Sequence, residues 1–508
     1  MQCPLRKQQE RPRLQPMACA TPRKKLRILL LPYFAASHIA PFTELAFHLA
    51  AARPDAVEAT VAVTPANTSI VRSALARRGC DHATVGVATY PFPAVDGLPP
   101  GVENYSTAEP ADAWRIDAAA LDEALMRPGQ ERLVREQSPD AVVADMQFFW
   151  AVDVAGGLGV PCVTFHAIGT FPILAMDYLA LAGVAGGGAA GGAGAAVTVP
   201  RFPGPDIRVP ATELPEFIRS RRVFDRATHD RVLSARKRCL GLAVNTFLDL
   251  EHGYCEMYES EGHAKRAYFV GPLALPLPPA QSKIAGDSSG CIDWLDTRAA
   301  KSVVYLCFGS LTHVSEAQLR ELALGLEASG KPFLWVVREK TWRPSEEWKQ
   351  RVGDRGMVVN GWAPQTAVLS HPAVGAFVTH CGWNSVLETV VAGVPVLTWP
   401  MFLEQFITER FVTEVLAIGV RLWPEGAGVR STRYEEHELV PAEAVAQAVA
   451  KFMEPGGLGE AARKRVKELS AKACAAMADG GSSHRDLHRL IDDLMEARWA
   501  ATAGTTSP

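Results

Sequence analysis

The sequence predicts an α/β protein with two doubly wound parallel-sheet domains that face each other across a cleft. Short apolar runs alternate with amphipathic helical segments, first from Leu26 onward and again from Ser302 onward. A segment rich in proline, glycine and serine separates the two series. A chain of 508 residues is also too long for a single hydrophobic core, so two similar halves are expected.

The first series begins with a strand and a helix. Leu26–Leu31 is apolar enough for a buried strand, and the apolar residues from Phe42 to Leu49 recur at helical spacing. Val57–Val63 then has the pattern of the next strand, so the order is strand, helix, strand. Further strands are predicted at Ala141–Ala144, Val160–Phe165 and Leu242–Asn245.

The second series repeats this rhythm. It begins with a strand over Ser302–Phe308 and a helix over about Ser315–Ser329. Its further strands are predicted at Pro332–Val337, Val374–Thr379 and Val394–Trp399. We therefore expect a tail over residues 1–25, a domain over 26–270, a linker over 271–290, a second domain over 291–477 and a final helix over 478–500.

Composition and charge indicate a globular protein with a small-molecule partner. The apolar content is 48%, and the formal net charge of −3 gives no electrostatic reason to expect nucleic acid or an acidic membrane as partner. No stretch of about 20 residues is continuously apolar, which predicts no membrane span. The basic N-terminal tail lacks a signal-peptide core, so we expect it to be disordered, with Met17 as an alternative start and the cytoplasm as location.

Two features invite misinterpretation. The ten cysteines include no Cys-x-x-Cys pair, so we expect reduced thiols rather than a zinc site or a disulfide framework. Residues 179–197 are mostly glycine and alanine, which predicts a flexible loop. Gly186, Gly188 and Gly191 in this loop match a dinucleotide-binding pattern, but no strand precedes them and we reject that site.

The segment from Trp362 to Gln405 carries the main functional signal. It contains a strand that ends at Thr379, then the run His-Cys-Gly-Trp-Asn-Ser from His380 to Ser385, then the start of a helix. The first amides of that helix are unpaired donors at the positive end of its dipole, so they can bind a diphosphate without a metal. Two structural alternatives stay open: Ser385 and Glu388 can form a capping box, and Trp362 can be a core aromatic.

These 44 residues resemble the signature box of plant family-one UDP-glycosyltransferases, and the similarity extends from about Leu26 to the final helix. The resemblance implies the GT-B fold, in which the final helix crosses back to the first domain. It also implies UDP-glucose as donor, because the box closes on Gln405. No cofactor is implied.

The resemblance assigns roles to residues of the box. The tryptophan that opens it stacks on uracil, two polar residues hold the ribose, and the residues at the helix start hold the diphosphate. The mid-box tryptophan and the closing Glu-Gln pair contact the sugar, with Glu404 where Asp is commoner. The implied donor-binding residues are Ser310, Trp362, Ala363, Gln365, His380, Gly382, Trp383, Asn384, Ser385, Glu388, Glu404 and Gln405. For Ser310 the alternative is a plain strand-ending turn.

Sugar transfer to a hydroxyl also needs a base, for which histidine is suited because it titrates near neutrality. His38 lies in Pro32–Pro41, which we expect to connect the first strand to the first helix at the edge of the sheet. Asp145 follows a predicted strand and would stabilise the imidazolium. The resemblance supports both roles. A structural histidine and a helix N-cap aspartate are the alternatives.

The sequence thus predicts a monomeric, inverting, UDP-glucose-dependent O-glycosyltransferase. We expect it to be metal-independent, since the chain has no Asp-x-Asp motif. The acceptor is expected to be a flavonoid or other phenolic, or else a terpenoid or hormone, and the predicted pocket residues are Phe34, Phe149, His166 and Phe171. The alternatives are a nucleotide-sugar-binding protein without transferase activity, use of another UDP-sugar, and an epimerase or phosphorylase of the same architecture.

Overall fold

A computed structural model describes residues 24–78, 85–109, 111–182, 196–219, 226–275, 289–338, 342–433 and 436–504. The predicted tail before residue 24 and most of the predicted linker lie outside the described residues. The same is true of the three glycines from Gly186 to Gly191.

The first sheet is parallel throughout, with strand order β3-β2-β1-β4-β5-β8-β9. A separate antiparallel pair is formed by β6 and β7. These strands are β1 (Leu26–Leu31), β2 (Val57–Val63), β3 (Val85–Thr89), β4 (Ala141–Asp145), β5 (Cys162–His166), β6 (Ala196–Thr198), β7 (Arg208–Pro210), β8 (Gly241–Val244) and β9 (Ala267–Phe269).

The second sheet is also parallel, with order β12-β11-β10-β13-β14-β15. Its strands are β10 (Val303–Cys307), β11 (Phe333–Val337), β12 (Gly356–Asn360), β13 (Val374–Thr379), β14 (Val396–Thr398) and β15 (Gly419–Arg421). In both sheets the strand order reverses beside the first strand, which is the doubly wound arrangement. The predicted fold class is confirmed.

Helices cover these sheets. They are α1 (Ala36–Ala52), α2 (Thr68–Arg77), α3 (Ala113–Leu121), α4 (Glu123–Gln137), α5 (Ala151–Gly157), α6 (Thr170–Leu181), α7 (Glu216–Arg219), α8 (Arg226–Arg238), α9 (Leu248–Ser260), α10 (Cys291–Asp296), α11 (Glu316–Ala328), α12 (Glu346–Val352), α13 (Gln365–Ser370), α14 (Trp383–Ala392), α15 (Gln405–Arg410), α16 (Ala442–Phe452), α17 (Leu458–Met477) and α18 (Ser482–Gly504). The last helix, α18, packs back against β9 and α1 of the first sheet. None of the helices in the described part of the chain combines the length and the apolarity that membrane crossing requires.

Two local predictions are wrong. The connection after β1 is shorter than expected, because α1 begins at Ala36 and contains Pro41 near its start. Pro41 lies just beyond the first turn, so the helix loses one N–H bond there, the one that residue 41 would make to the Ser37 carbonyl. The predicted loop over residues 179–197 includes helical residues at its start, where Leu179 is fully buried, and strand β6 at its end.

The two sheets are held together by a shared core and by charges. One continuous apolar cluster includes Phe171 and Phe411, whose ring centroids are 4.8 Å apart. Beside it, Arg430 Nε donates to Glu213 Oε1 at 2.8 Å across the same boundary. Both side chains are almost fully buried, so this pair fixes the relative position of the domains more than it adds stability.

Candidate active site

Four of the predicted functional residues lie at the topological switch points of the two sheets, where doubly wound proteins bind ligands. His38 follows β1, and Asp145 ends the neighbouring strand β4. Ser310 follows β10, and His380 follows the neighbouring strand β13. The two edges meet, because Asn384 Nδ2 of one donates to the Ser37 carbonyl of the other at 2.7 Å. Residues from four distant segments are therefore brought to one cleft.

His38 and Asp145 form a hydrogen-bonded pair. The His38 Nδ1 to Asp145 Oδ2 distance is 2.8 Å, and the carboxylate is 1% exposed. The Tyr33 amide also donates to Asp145 Oδ2 at 3.2 Å. With Nδ1–H donating to the carboxylate, Nε2 is left as the basic nitrogen. Asp145 does not cap α5, whose N-cap residue is Trp150, so the capping alternative is wrong.

The surroundings of His38 favour its protonated form. Burial alone lowers the pKa of His38, but the Asp145 charge and hydrogen bond, with smaller effects of Glu404 and Asp117, raise it above its usual value. The pair therefore suits a base that must accept a proton and hold it as an imidazolium.

Sequence reasoning missed two neighbours of this pair. The Tyr33 ring stands edge-on to His38 with centroids 5.1 Å apart, and its hydroxyl donates to the carboxylate of Asp117. Burial raises the pKa of Asp117 to about 6. Asp117 comes from α3, where no motif or strand end marks it, so only the tertiary structure places it here.

The ribose-binding candidates form a network of their own. Gln365 Nε2 donates to Ser385 Oγ at 2.9 Å and to Glu388 Oε2 at 2.5 Å. Ser385 does not cap α14, because the N-cap residue is Gly382, so the capping-box alternative is wrong. Trp362 is 61% exposed, which contradicts the core-aromatic alternative and leaves its ring accessible for stacking, while Ala363 beside it is buried.

His380 is buried against the turn that carries Ser310. A Cβ at Gly309 would lie 2.5 Å from His380 Cε1, so only glycine permits this approach, and its φ of +74° also favours glycine. Burial lowers the pKa of His380 to about 4. The ring is therefore neutral at pH 7, and His380 Nδ1 has no hydrogen-bond partner among the described residues. His380 is suited to contact a phosphate oxygen through an N–H rather than through charge.

The three residues predicted to contact the sugar differ in their surroundings and hydrogen-bond partners. Burial raises the pKa of Glu404, whose charge also acts on His38. Gln405 is 4% exposed and its Oε1 accepts from the Met401 amide at 3.0 Å, which leaves Nε2 as its donor. The Trp383 indole is 2% exposed and donates to the Asn245 carbonyl at 2.7 Å, so the ring itself is not placed for a sugar.

The four residues predicted for the aromatic acceptor pocket are enclosed by other side chains, and their contact with an acceptor stays a prediction. All four residues are buried: Phe34 packs edge-on against Phe92, Phe149 lies under Arg231, and Phe171 and His166 are fully buried. Apolar side chains that follow buried strands pack into the core, because removing their surface from water lowers the free energy more than exposing them to a cleft would.

Among the described residues, no group of three His, Cys, Asp or Glu side chains is arranged to hold a metal ion.

Comparison with known proteins places this site in a family. A family model described as UDP-glucoronosyl and UDP-glucosyl transferase matches residues 286–422. UDP-glycosyltransferase 73E1 of Stevia rebaudiana is 36% identical over 94% of this chain and 97% of its own length. UDP-glucose flavonoid 3-O-glucosyltransferase 7 of Fragaria ananassa is 33% identical over 93% of this chain and 96% of its own.

A solved structure agrees with these relatives. The crystal structure of Glycyrrhiza uralensis UGT73P12 complexed with glycyrrhetinic acid 3-O-monoglucuronide is 29% identical, with a TM-score of 0.81 over 95% of this chain and 98% of that one. The fold and the relatives define a glycosyltransferase that takes its sugar from a UDP-sugar. The chain belongs to the plant family-one UDP-glycosyltransferases, as its signature box predicted.

Proposed function

We propose that the protein transfers glucose from UDP-glucose, with inversion, to a hydroxyl of a small lipophilic plant metabolite, most of all a flavonoid or another phenolic. The observation that carries the reaction is the 2.8 Å pair of His38 and Asp145, joined to the donor helix through Ser37 and Asn384. The Fragaria relative named for a flavonoid and for UDP-glucose supports the choice of substrates.

Donor binding would begin at the exposed Trp362, which offers a flat ring to the uracil. Gln365 and Glu388 already share a hydrogen bond, and together they present an amide and a carboxylate to the ribose hydroxyls. The first-turn amides of α14, with His380 and Ser310, would hold the diphosphate. This arrangement supplies donors from the backbone and neutral side chains, so we propose that no metal is needed.

In the chemical step, His38 Nε2 takes the proton of the acceptor hydroxyl while its oxygen attacks the anomeric carbon of glucose. The new carbon–oxygen bond forms on the face opposite UDP, the bond to the β-phosphate oxygen breaks, and UDP leaves with the electron pair. An α-linked donor thus gives a β-glucoside. Asp145 stabilises the imidazolium, which afterwards releases its proton to solvent.

We further propose that the protein acts as a monomer in the cytoplasm. Both parts of the reaction site come from one chain, because Asn384 and Ser37 join its two sheets directly. Size-exclusion chromatography with light scattering tests the first statement, and the location of a fluorescent fusion tests the second.

The function is tested by incubating purified protein with UDP-glucose and a panel of flavonoids, simple phenols, terpenoid alcohols and hormones. We expect hexose conjugates by mass spectrometry, stoichiometric UDP, and a β-anomeric signal by NMR. His38→Ala, purified in parallel, controls for contaminating transferases.

Each alternative has its own outcome. UDP-glucose binding without any conjugate would favour a binding protein. Conjugates formed only with UDP-galactose or UDP-glucuronate would change the donor, and UDP-galactose formed without acceptor would indicate an epimerase.

A further inference from the structure

Two adjacent residues of the proposed donor-binding turn donate side-chain hydrogen bonds to backbone carbonyls of the opposite domain. Trp383 Nε1 donates to the Asn245 carbonyl, just after β8, and Asn384 Nδ2 donates to the Ser37 carbonyl in α1, each at 2.7 Å. Trp383 and Asn384 are the first two residues of α14, whose amides are the proposed diphosphate site. The turn that holds the donor is thus also a contact between domains.

The Trp383 indole packs between Gly169, Glu251 and Phe411, and we call this packing site the socket. A Cβ at Gly169 would lie 2.2 Å from Trp383 Cζ2 and 2.6 Å from Glu251 Oε2, so a larger residue would displace the indole and press on the carboxylate. The Gly169 turn is itself fixed, because buried Glu251 accepts from the Phe171 amide at 2.6 Å. Phe411 lies beyond the indole, with ring centroids 5.9 Å apart. A sugar-contacting ring would need no such socket in the other domain.

The Ser37 carbonyl is available because of Pro41. In an α-helix the amide of residue 41 bonds to the carbonyl of residue 37, but proline has no N–H. The carbonyl therefore lacks its helical partner and accepts from Asn384 instead. Ser37 immediately precedes His38, so Asn384 acts one residue away from the proposed base.

We propose that Trp383 and Asn384 form an interdomain clamp that sets the distance between His38 and the diphosphate held at the start of α14. Both are positioning residues in this role, and the role rests on the proposed function. Alignment of reacting groups is sensitive to such contacts, since a displacement of about 1 Å can cost about 10²-fold in rate. The clamp would thus act on kcat rather than on donor affinity.

Gly169→Ala tests the clamp without altering any donor-binding residue. We expect kcat to fall by about tenfold or more, since the added Cβ displaces Trp383, while the Kd for UDP changes by less than about threefold. The pH at half-maximal kcat/KM should not move, because the His38–Asp145 pair is intact. Gly156→Ala is the matched control, since its Cβ would meet open space in α5.

A double-mutant cycle isolates the socket. Trp383→Phe removes the indole N–H and also the ring atoms nearest Gly169, so in its presence Gly169→Ala acts only through the Glu251 carboxylate. We expect Gly169→Ala to lower kcat further by less than about twofold when Trp383→Phe is already present. Independent, multiplying effects would overturn the socket. Trp383→Phe alone carries the kcat measurement if Gly169→Ala is insoluble.

Pro41→Ala tests the second half of the clamp. The new amide can take the Ser37 carbonyl back into the helix, so we expect kcat to fall by about threefold or more while the midpoint of thermal unfolding rises. If Pro41 had only a structural role, its replacement would not lower kcat while raising the midpoint of thermal unfolding. An unchanged kcat would remove Asn384 from the clamp.

Small-angle X-ray scattering tests the interdomain clamp independently of sugar transfer, because it measures the radius of gyration rather than activity. Gly169→Ala should increase the radius of gyration relative to Gly156→Ala, even if wild-type protein transfers no sugar and the proposed function fails. Equal radii and equal kcat for the two variants would overturn the clamp. So would a higher KM for UDP-glucose at unchanged kcat, which would return Trp383 to a sugar contact.

Discussion

The proposed donor half and the proposed catalytic pair of this glycosyltransferase are assembled in different ways. In the proposed donor site, Gln365 donates to residues 20 and 23 positions away in the same signature segment, and it accepts from the Tyr305 hydroxyl, 60 positions away. His38 and Asp145 are 107 positions apart and meet only because β1 and β4 are neighbours in the sheet. Most of the proposed donor site therefore comes from one segment of the chain, whereas the proposed base and its partner come from strands that are far apart in sequence.

Exposure shows the same contrast. Trp362 of the donor segment is 61% exposed, whereas the aromatic residues predicted for the acceptor side, such as Phe34 and Phe171, are at most 1% exposed. An aromatic residue that follows a buried strand usually packs into the core, so an exposed aromatic ring indicates a binding role. For Trp362 the signature motif predicts that role, and no motif does so for the aromatic residues of the acceptor side.

His38→Ala gives the largest expected effect and tests whether the catalytic half acts apart from the donor half. We expect kcat to fall by about 10²–10⁴-fold because the general base is lost. The Kd for UDP should stay within about threefold, as measured by calorimetry. His252→Ala on the exposed face of α9 is the control. A loss of kcat below about fivefold would contradict the assignment of the base.

Asp145→Asn should lower kcat by roughly 10²-fold and also change the pH profile. In the proposed mechanism the neutral form of His38 is the active base. Its pKa is raised, so wild-type kcat/KM should rise with pH through a midpoint above 6.5. Without the Asp145 charge, burial dominates and lowers that pKa, so the midpoint should move to lower pH. A midpoint that stays in place would show that Asp145 does not govern His38.

Trp362→Ala tests the donor half in the same way. Stacking of a base on an aromatic ring is worth about 1–3 kcal/mol, so we expect the KM for UDP-glucose to rise by roughly tenfold or more with little change in kcat. Trp362→Phe should recover much of the loss. Trp499→Ala, at a tryptophan 57% exposed on α18, controls for the loss of an exposed indole. A fall in kcat alone would place Trp362 outside uracil binding.

The smallest expected effect sharpens the account of the diphosphate site. Addition of EDTA should leave the initial rate unchanged within about 20%, since the proposed diphosphate donors are helix amides and neutral His380. Magnesium and manganese added in excess should not raise it. A large loss restored by one of these ions would mean that a cation shares the site.

The sequence by itself determined the fold class, most strand positions and the donor segment. β1, β2 and β13 begin and end where the apolar runs predicted, because buried parallel strands leave an unmistakable apolar pattern. It also indicated His38 and Asp145, through their positions at strand ends and the family resemblance. Each of these features is specified by a short segment of the chain, so it can be predicted without knowing the tertiary contacts.

Only the tertiary structure decided the rest. It placed Asp117 beside His38, drew Phe171 into the core, and turned the Trp383 ring away from the sugar toward Asn245. Asp117 and His38 are 79 residues apart, Trp383 and Asn245 are 138 apart, and no periodicity or motif encodes such a meeting. Packing decided these outcomes, within the first domain for Asp117 and between the domains for Phe171 and Trp383, because burial and hydrogen-bond partners exist only in the folded chain.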